Sequence, residues 1–405
     1  MKKETKGQDL PAIEGGKPAL KKFIPYGLHD IGPREIRNVV STLKTDLITT
    51  GPRVAEFEKK FAKFVGCKHA VALNSCTAAL HVSLAAAGIG PGDEVITTPL
   101  TMVATANAIE YVGAKPVFAD VRKDTYNIDP KEIEKKITKR TRAIIPVHYA
   151  GQPADMDEIR AIAKKHGLAV IEDAAHAVSA KYKRKNIGTL SLSTCFSFHP
   201  VKNMTTCEGG MITTASKEFA QRAKRLRLFG ISRDFWNRFS SGGSWYYEMT
   251  ELGFKYNMTD LQASLGLAQL ERLKSFQKKR EAFAKIYTKA FSDVPEIVTP
   301  HVEKNVKHAW HIYTILIRPE LLKIDRNKFI DALKAENVGT SVHYIPVHYH
   351  PYYAKKYGFR KGDFPNAEYV YERTITIPLF PRMKREELDG VIRAVRRIAN
   401  HYRKN

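Results

Sequence analysis

Between residue 53 and about residue 215 the hydrophobic pattern alternates between helical periodicity and short apolar runs. Val54, Phe57, Phe61 and Phe64 recur three or four residues apart and stop at Gly66, which predicts one apolar face of a helix and its glycine end. A short apolar run at 69–73 predicts a strand, followed by a small-residue helix over 77–87 closed by Gly88. Strand 94–97, helix 104–112, strand 116–119 and strand 142–147 continue the series. Asp155 opens another helix, where Glu158 three residues on predicts a reciprocal cap and Gly167 the stop. Runs at 168–172, 194–198 and 210–213 bring the strands to seven. Strands interleaved with helices of this length predict an α/β fold whose sheet is mostly parallel and covered on both faces. In such sheets ligands bind beyond the carboxyl ends of the strands.

Past residue 215 the pattern loosens. A helical stretch at 222–229 precedes a loop rich in Gly, Ser and aromatics at 240–247. A long helical pattern then runs from 259 to about 291, with Leu261, Leu265, Leu270 and Leu273 among its apolar positions. Beyond residue 302, strands at 313–317 and 374–378 alternate with helices at 327–336 and 385–402 in α+β order. The expected organisation is an N-terminal arm (1–29), a large domain (30–275) and a smaller C-terminal α+β domain (276–405).

Composition narrows the function classes. With 43% hydrophobic and 27% charged residues, the 405-residue chain has ordinary globular composition and material for a sizeable core. No apolar run is long enough to span a bilayer, and residues 1–20 lack the apolar segment of a secretory signal, so a cytoplasmic protein is expected. Cys67, Cys76, Cys195 and Cys207 show neither paired nor zinc-type spacing, which fits free thiols and no metal site. The 66 basic residues against 42 acidic ones give a net charge of +24. They are dispersed and no nucleic-acid module is legible, so solvated surface charge or attraction of an anionic small substrate is expected, not a specific nucleic-acid partner.

Two strand ends carry candidate chemistry. Asp173 closes the run Leu168-Ala169-Val170-Ile171-Glu172-Asp173, and Lys202 follows the next strand in Ser197-Phe198-His199-Pro200-Val201-Lys202-Asn203. A carboxylate and an amine so placed suggest a pyridoxal phosphate (PLP) site. The lysine forms a Schiff base, and the acid keeps the ring nitrogen protonated. Asn74-Ser75-Cys76-Thr77-Ala78-Ala79, between a strand and a helix, supplies small residues, hydroxyls and a helix N-terminus for the phosphate. Taken alone, that segment reads more readily as an ordinary helix cap.

With these segments the chain resembles the DegT/DnrJ/EryC1/StrS sugar aminotransferases, PLP enzymes of fold type I. The resemblance extends from about Asp30 into the C-terminal region. It also rests on Thr50-Gly51-Pro52, Gly90-Pro91-Gly92-Asp93, Ala104-Thr105-Ala106-Asn107, Gly151-Gln152-Pro153-Ala154-Asp155, Glu172-Asp173-Ala174-Ala175-His176, Glu208-Gly209-Gly210, Asn257-Met258-Thr259-Asp260, His308-Ala309-Trp310 and Leu379-Phe380-Pro381. It implies a large domain with a mostly parallel seven-stranded sheet between helices, and a homodimer with shared active sites. It also implies Lys202 as the Schiff-base lysine and proton shuttle, Asp173 as the pyridinium partner, and His176 beside the cofactor's ring oxygen. Ser75, Cys76, Thr77 and Ser197 match phosphate positions. Met102 stands where relatives often stack an aromatic ring on the cofactor, leaving a softer thioether contact. Lys255 stands where many relatives have Asn, so either it or Asn257 is expected to reach the neighbouring subunit's phosphate.

The remaining candidates rest on less. His343, Tyr344 and His348 fall near the expected cleft and are candidates for sugar-nucleotide contacts, with interface packing as the alternative. Trp310 and Phe380 are expected in the core, and Cys207 as a small buried residue. The function the resemblance implies is transfer of an amino group, from L-glutamate by expectation, to the keto group of a nucleotide-linked sugar in surface-polysaccharide or lipopolysaccharide biosynthesis. The alternatives are a PLP-dependent sugar dehydratase or lyase on the same fold, or a PLP-binding regulatory protein. Retention of lysine at position 202 favours transamination.

Overall fold

The computed structural model describes residues 10–231 and 246–404. After α1 (Pro33–Leu43) and α2 (Pro52–Val65) the chain alternates through β1 (His69–Leu73), α3 (Cys76–Ala86), β2 (Glu94–Thr97), α4 (Val103–Tyr111) and β3 (Lys115–Phe118). It continues through α5 (Pro130–Lys135), β4 (Thr141–Ile145), α6 (Met156–His166) and β5 (Ala169–Asp173). A small hairpin, β6 (Lys181–Tyr182) and β7 (Lys185–Asn186), precedes β8 (Ser193–Ser197), β9 (Gly210–Thr214) and α7 (Lys217–Leu226).

Seven of these strands form one sheet in the order β1-β9-β8-β5-β4-β2-β3. Only β9 runs against its neighbours; the pairs β8–β5, β5–β4, β4–β2 and β2–β3 are all parallel. Successive strand residues feed opposite faces, as period-2 geometry requires. Ile96, Ile144, Val170 and Phe196 pack with α2 and α6, while Val95, Ile145, Ile171 and Cys195 pack with α3 and α7. Both faces are therefore covered, and the strands read as continuous apolar runs.

The C-terminal half begins with α8 (Asp260–Phe291), a 32-residue helix capped by Thr259 and Gln262 reciprocally. It runs unbroken through residue 275: Leu273 belongs to the core under the seven-stranded sheet, whereas Ala284, Tyr287 and Phe291 belong to a second core. That second core is completed by a sheet of β10 (Ile297–Val298), β12 (Tyr313–Ile317) and β13 (Thr374–Ile377), with α9 (Arg326–Ala335) and α12 (Arg385–His401). Strand β11 (Val306–Lys307) instead joins the β6–β7 hairpin. Helices α10 (Pro351–Tyr357) and α11 (Pro365–Arg373) bridge toward β3 through a cluster containing Phe118, Tyr353 and Phe364.

Residues before α1 are sewn onto the second core. Leu20 and Ile24 are buried in it, and the Gly339 amide donates to the Ile24 carbonyl at 2.7 Å. A Cβ on Gly339 would meet that same carbonyl oxygen at 2.7 Å, so the close approach requires glycine. The fully buried Glu336 accepts from the amides of Ala12 and Ala19 and pairs with Arg397.

Three local expectations are corrected. Asp155 stands at the N-cap of α6 as expected, but its side chain makes no cap hydrogen bond; its carboxylate is taken instead by the Arg122 guanidinium at 2.8 Å. Helix α7 starts earlier than the expected 222–229, because Ser216 accepts from the Phe219 amide and caps it. Cys207 is exposed, not buried: it sits at φ +66° on a turn, held by Thr205 Oγ1. The expected loop at 240–247 lies outside the described residues up to 245, and Tyr246 and Tyr247 are exposed. No helix among the described residues is long and apolar enough to cross a membrane.

Candidate active site

A cavity of about 330 Å³ opens beyond the carboxyl ends of β1, β5 and β8, within the usual size of small-ligand sites. A larger groove of about 700 Å³, rimmed by lysines between α2 and α8, lies away from the strand ends. Ser75, Cys76, Thr77, Met102, Asp173, His176, Ser197, Lys202, His343 and Tyr344 all line the smaller cavity.

The loop from β1 to α3 supplies its anion-binding end. Ser75 is the N-cap of α3, its hydroxyl accepting from the Ala78 amide at 3.0 Å. The capping reading therefore holds for this side chain, while the first turn of an 11-residue helix still aims its positive end at the cavity. Glycine at the head of β9 makes room for the loop: a Cβ on Gly210 would meet Ser75 O at 2.3 Å and Cys76 N at 2.7 Å. Burial, reinforced by Asp173, pushes the Cys76 thiol well up, so it stays protonated.

Asp173 ends β5 and is only 5% exposed. Its Oδ2 accepts from Thr105 Oγ1 at 2.7 Å and its Oδ1 from the Ala175 amide at 3.1 Å. The preceding Glu172 points to the opposite face, where it takes Thr194 Oγ1 and His148 Nε2. Because His148 Nδ1 accepts from the Ala154 amide, the Nε2 proton faces Glu172. One strand thus separates a structural carboxylate from one turned toward the cavity.

Lys202 lies on the turn after β8, its amide bonded to the His199 carbonyl at 2.9 Å. Loss of hydration pushes its amine down to about 8, with the nearby Cys76 and Asp173 opposing the fall. The amine is thus far more nucleophilic near neutrality than a surface lysine.

The opposite wall comes from distant segments. Tyr344 Oη bonds His176 Nε2 at 2.8 Å, and the two rings stack. His176 Nδ1 is buried without a hydrogen-bond partner among the described residues. His311 packs 4.4 Å from His176, and His343 bonds Thr376 through Nδ1 at 2.7 Å. Tyr26, from before α1, packs edge-on against His343. Burial drives His176 and His311 well down and His343 to about 3, so this wall carries no imidazolium at neutral pH.

Three expected residues lie outside the cavity lining. Lys255 is exposed over the Phe229 ring, and Asn257 donates to Thr50 Oγ1 at 2.7 Å beside the end of β1. His348 is buried against Glu368 and Phe364; its ring is spent in packing. Trp310 and Phe380 pack in the second core. Thr101, Thr105, His311 and Tyr26 were not singled out from sequence. The available signal was a pair of threonines four residues apart at a helix start, and a histidine following His308-Ala309-Trp310.

The donor set fits a flat phosphorylated pyridine bearing a carbonyl. It has a helix N-terminus for the anion, a fixed carboxylate for a protonated ring nitrogen, and a weakly basic amine for the carbonyl. The unpartnered His176 Nδ1 provides a further polar contact.

Comparison with known proteins agrees with this geometry. The model of the DegT/DnrJ/EryC1/StrS aminotransferase family matches residues 29–396. The spore coat polysaccharide biosynthesis protein SpsC of Bacillus subtilis is 53% identical over 377 residues, covering 93% of this chain and 97% of its own. Among solved structures, Spr1654 of Streptococcus pneumoniae, a proposed sugar aminotransferase, superposes in its PMP form with a TM-score of 0.88. It is 34% identical, over 93% of this chain and 99% of that one. PseC of Helicobacter pylori, an aminotransferase of pseudoaminic acid biosynthesis, superposes with a TM-score of 0.87 at 30% identity, over 94% and 100%.

Proposed function

The chain belongs to the DegT/DnrJ/EryC1/StrS aminotransferase family, and on that premise we propose that it moves an amino group from L-glutamate to the keto group of a nucleotide-linked sugar. The pathway is synthesis of a surface polysaccharide, with lipopolysaccharide as one destination, and the compartment is the cytoplasm. The cofactor is pyridoxal phosphate, which when bound supplies an electron-accepting ring that stabilises negative charge on the substrate carbon.

The observation that carries the reading is a depressed lysine amine and a doubly hydrogen-bonded carboxylate facing one cavity from two adjacent strands. Lys202, neutral in part near pH 8, would be the amine that holds the cofactor through its carbonyl and, when free, the base that moves a proton at the substrate carbon. Asp173 would hold a protonated ring nitrogen. The N-terminus of α3 with Thr77 and Ser197 would hold the phosphate, and His176 would offer a further polar contact to the ring. The neutral wall of His311, His343 and Tyr344 receives the sugar, and the +24 surface draws in its diphosphate.

A homodimer completes the site. The segment holding Lys255 and Asn257 runs beside the loop after β1, where the Asn74 amide donates to the Tyr256 carbonyl, yet both side chains lie outside this chain's own cavity; in the proposed dimer one of them reaches the partner's phosphate. The exposed stripe Ile36, Val40 and Leu43 on α1 is apolar surface that such a dimer would cover.

The test is absorbance and mass spectrometry on PLP-loaded protein. Expected are a visible band, borohydride-stable mass on the Lys202 peptide, and conversion to pyridoxamine phosphate with release of 2-oxoglutarate on adding glutamate. A panel of nucleotide ketosugars should then yield one aminated product. K202A that kept both the band and turnover would overturn the reading.

A further inference from the structure

Thr105 and Thr101 form an oriented hydrogen-bond chain ending on Asp173. Thr105 Oγ1 lies 2.7 Å from Asp173 Oδ2, and Thr101 Oγ1 lies 2.8 Å from Thr105 Oγ1. All three side chains are buried: Thr105 at 0%, Thr101 at 2% and Asp173 at 5% exposure. An ionised carboxylate only accepts, so the single hydroxyl proton of Thr105 points at Asp173. Thr101 must then donate to Thr105, which fixes the direction of the whole chain. The two threonines flank the start of α4, and Met102 between them lines the cavity. The first turn of α4 and the end of β5 are thus joined through one carboxylate oxygen, while the Ala175 amide holds the other.

We propose that Thr105, backed by Thr101, is a positioning residue for the cofactor: it sets the plane of the Asp173 carboxylate and keeps its negative charge, so that the shared proton resides on the pyridine nitrogen and not on the acid. This rests on the function proposed above. A hydrogen bond to the ionised form stabilises that form. Without the hydroxyl, Oδ2 loses its donor on a carboxylate only 5% exposed. The acid then becomes the better base and draws the proton from the ring. Valine at 105 keeps the shape and removes only the hydroxyl, while serine keeps the hydroxyl and removes only a methyl.

The experiment loads wild type, T105V, T105S and T101V with ¹⁵N-ring-labelled PLP. It reads the ring-nitrogen chemical shift, the PLP dissociation constant and the rate of pyridoxamine phosphate formation with glutamate. T105V should move the ring signal toward the unprotonated value, weaken PLP binding about tenfold and slow the half-reaction by a similar factor, as expected for losing a hydrogen bond to a charged group. T105S should stay within about twofold of wild type, and T101V should shift the same way by about threefold. A T105V ring signal and PLP affinity matching wild type would overturn the proposal, as would T105S behaving like T105V. Should T105V not fold, T101V decides alone: no displacement of its ring signal counts against the chain. Failure of wild type itself to take up PLP would strike at the proposed function instead.

Discussion

Of the cavity's two walls, the one on the seven-stranded sheet presents an amine, a carboxylate and a helix N-terminus, each delivered by a strand end. The facing wall presents two imidazoles and two phenols, from His311, His343, Tyr26 and Tyr344, in segments far apart in sequence, and burial keeps the imidazoles uncharged. The charged wall can do covalent and proton chemistry; the neutral one can only shape, exclude water and donate or accept hydrogen bonds. The division implies that substitutions on the first wall strike rate, and those on the second strike substrate affinity.

The sharpest test is D173N. It keeps the side-chain shape but removes the charge opposite a cationic ring, and should slow pyridoxamine phosphate formation roughly a hundredfold or more, read in single-turnover stopped flow. If H343A cost as much in that same half-reaction, the distinction between walls would fail.

The second prediction concerns pH. With the Lys202 amine lowered to about 8, roughly a tenth of it is neutral at pH 7, far more than for a lysine of ordinary basicity. The rate at which apoprotein captures PLP should climb about tenfold from pH 7 and level off above about pH 8. A profile still rising steeply beyond pH 9.5 would mean the amine is not depressed.

Smaller still is Y344F. It removes the hydroxyl that meets His176 Nε2 at 2.8 Å. A loss of about 1 kcal/mol, or roughly fivefold, should appear mainly in KM for the sugar substrate, with the glutamate half-reaction little changed. An equal loss in both half-reactions would assign Tyr344 to the other wall.

The smallest effect on activity is expected from H348A. His348 pairs with Glu368 outside the cavity, so kcat should stay within about twofold while stability falls by about 1–3 kcal/mol in urea unfolding. A kcat loss well beyond that would draw His348 into the site.

Much of the sheet side was legible in the chain. Short apolar runs located the seven strands to within a residue or two, and Asp173 and Lys202 follow from standing at strand ends. Less visible was how neighbouring groups compete. Asp155 carries a proper capping sequence, yet Arg122, 33 residues away, claims its carboxylate. Cys207 has the composition of a buried position but sits on an outward turn. His348 looks like a site histidine beside His343 and Tyr344, and is core because Glu368 pairs with its Nε2 away from the cavity.

Alone, the chain determined which side chains a parallel sheet would deliver at its carboxyl edge, because the alternation of strands and helices is a local property written in spacing. Tertiary structure decided which of those groups are held, dried and neutralised. The Thr105 donor reaches Asp173 across 68 residues of sequence, and His311 and His343 converge on His176 from separate segments, with Tyr26 packed behind His343 from a third. Hydration and hydrogen-bond partners depend on what lies nearby in space, and a linear pattern carries no measure of that distance.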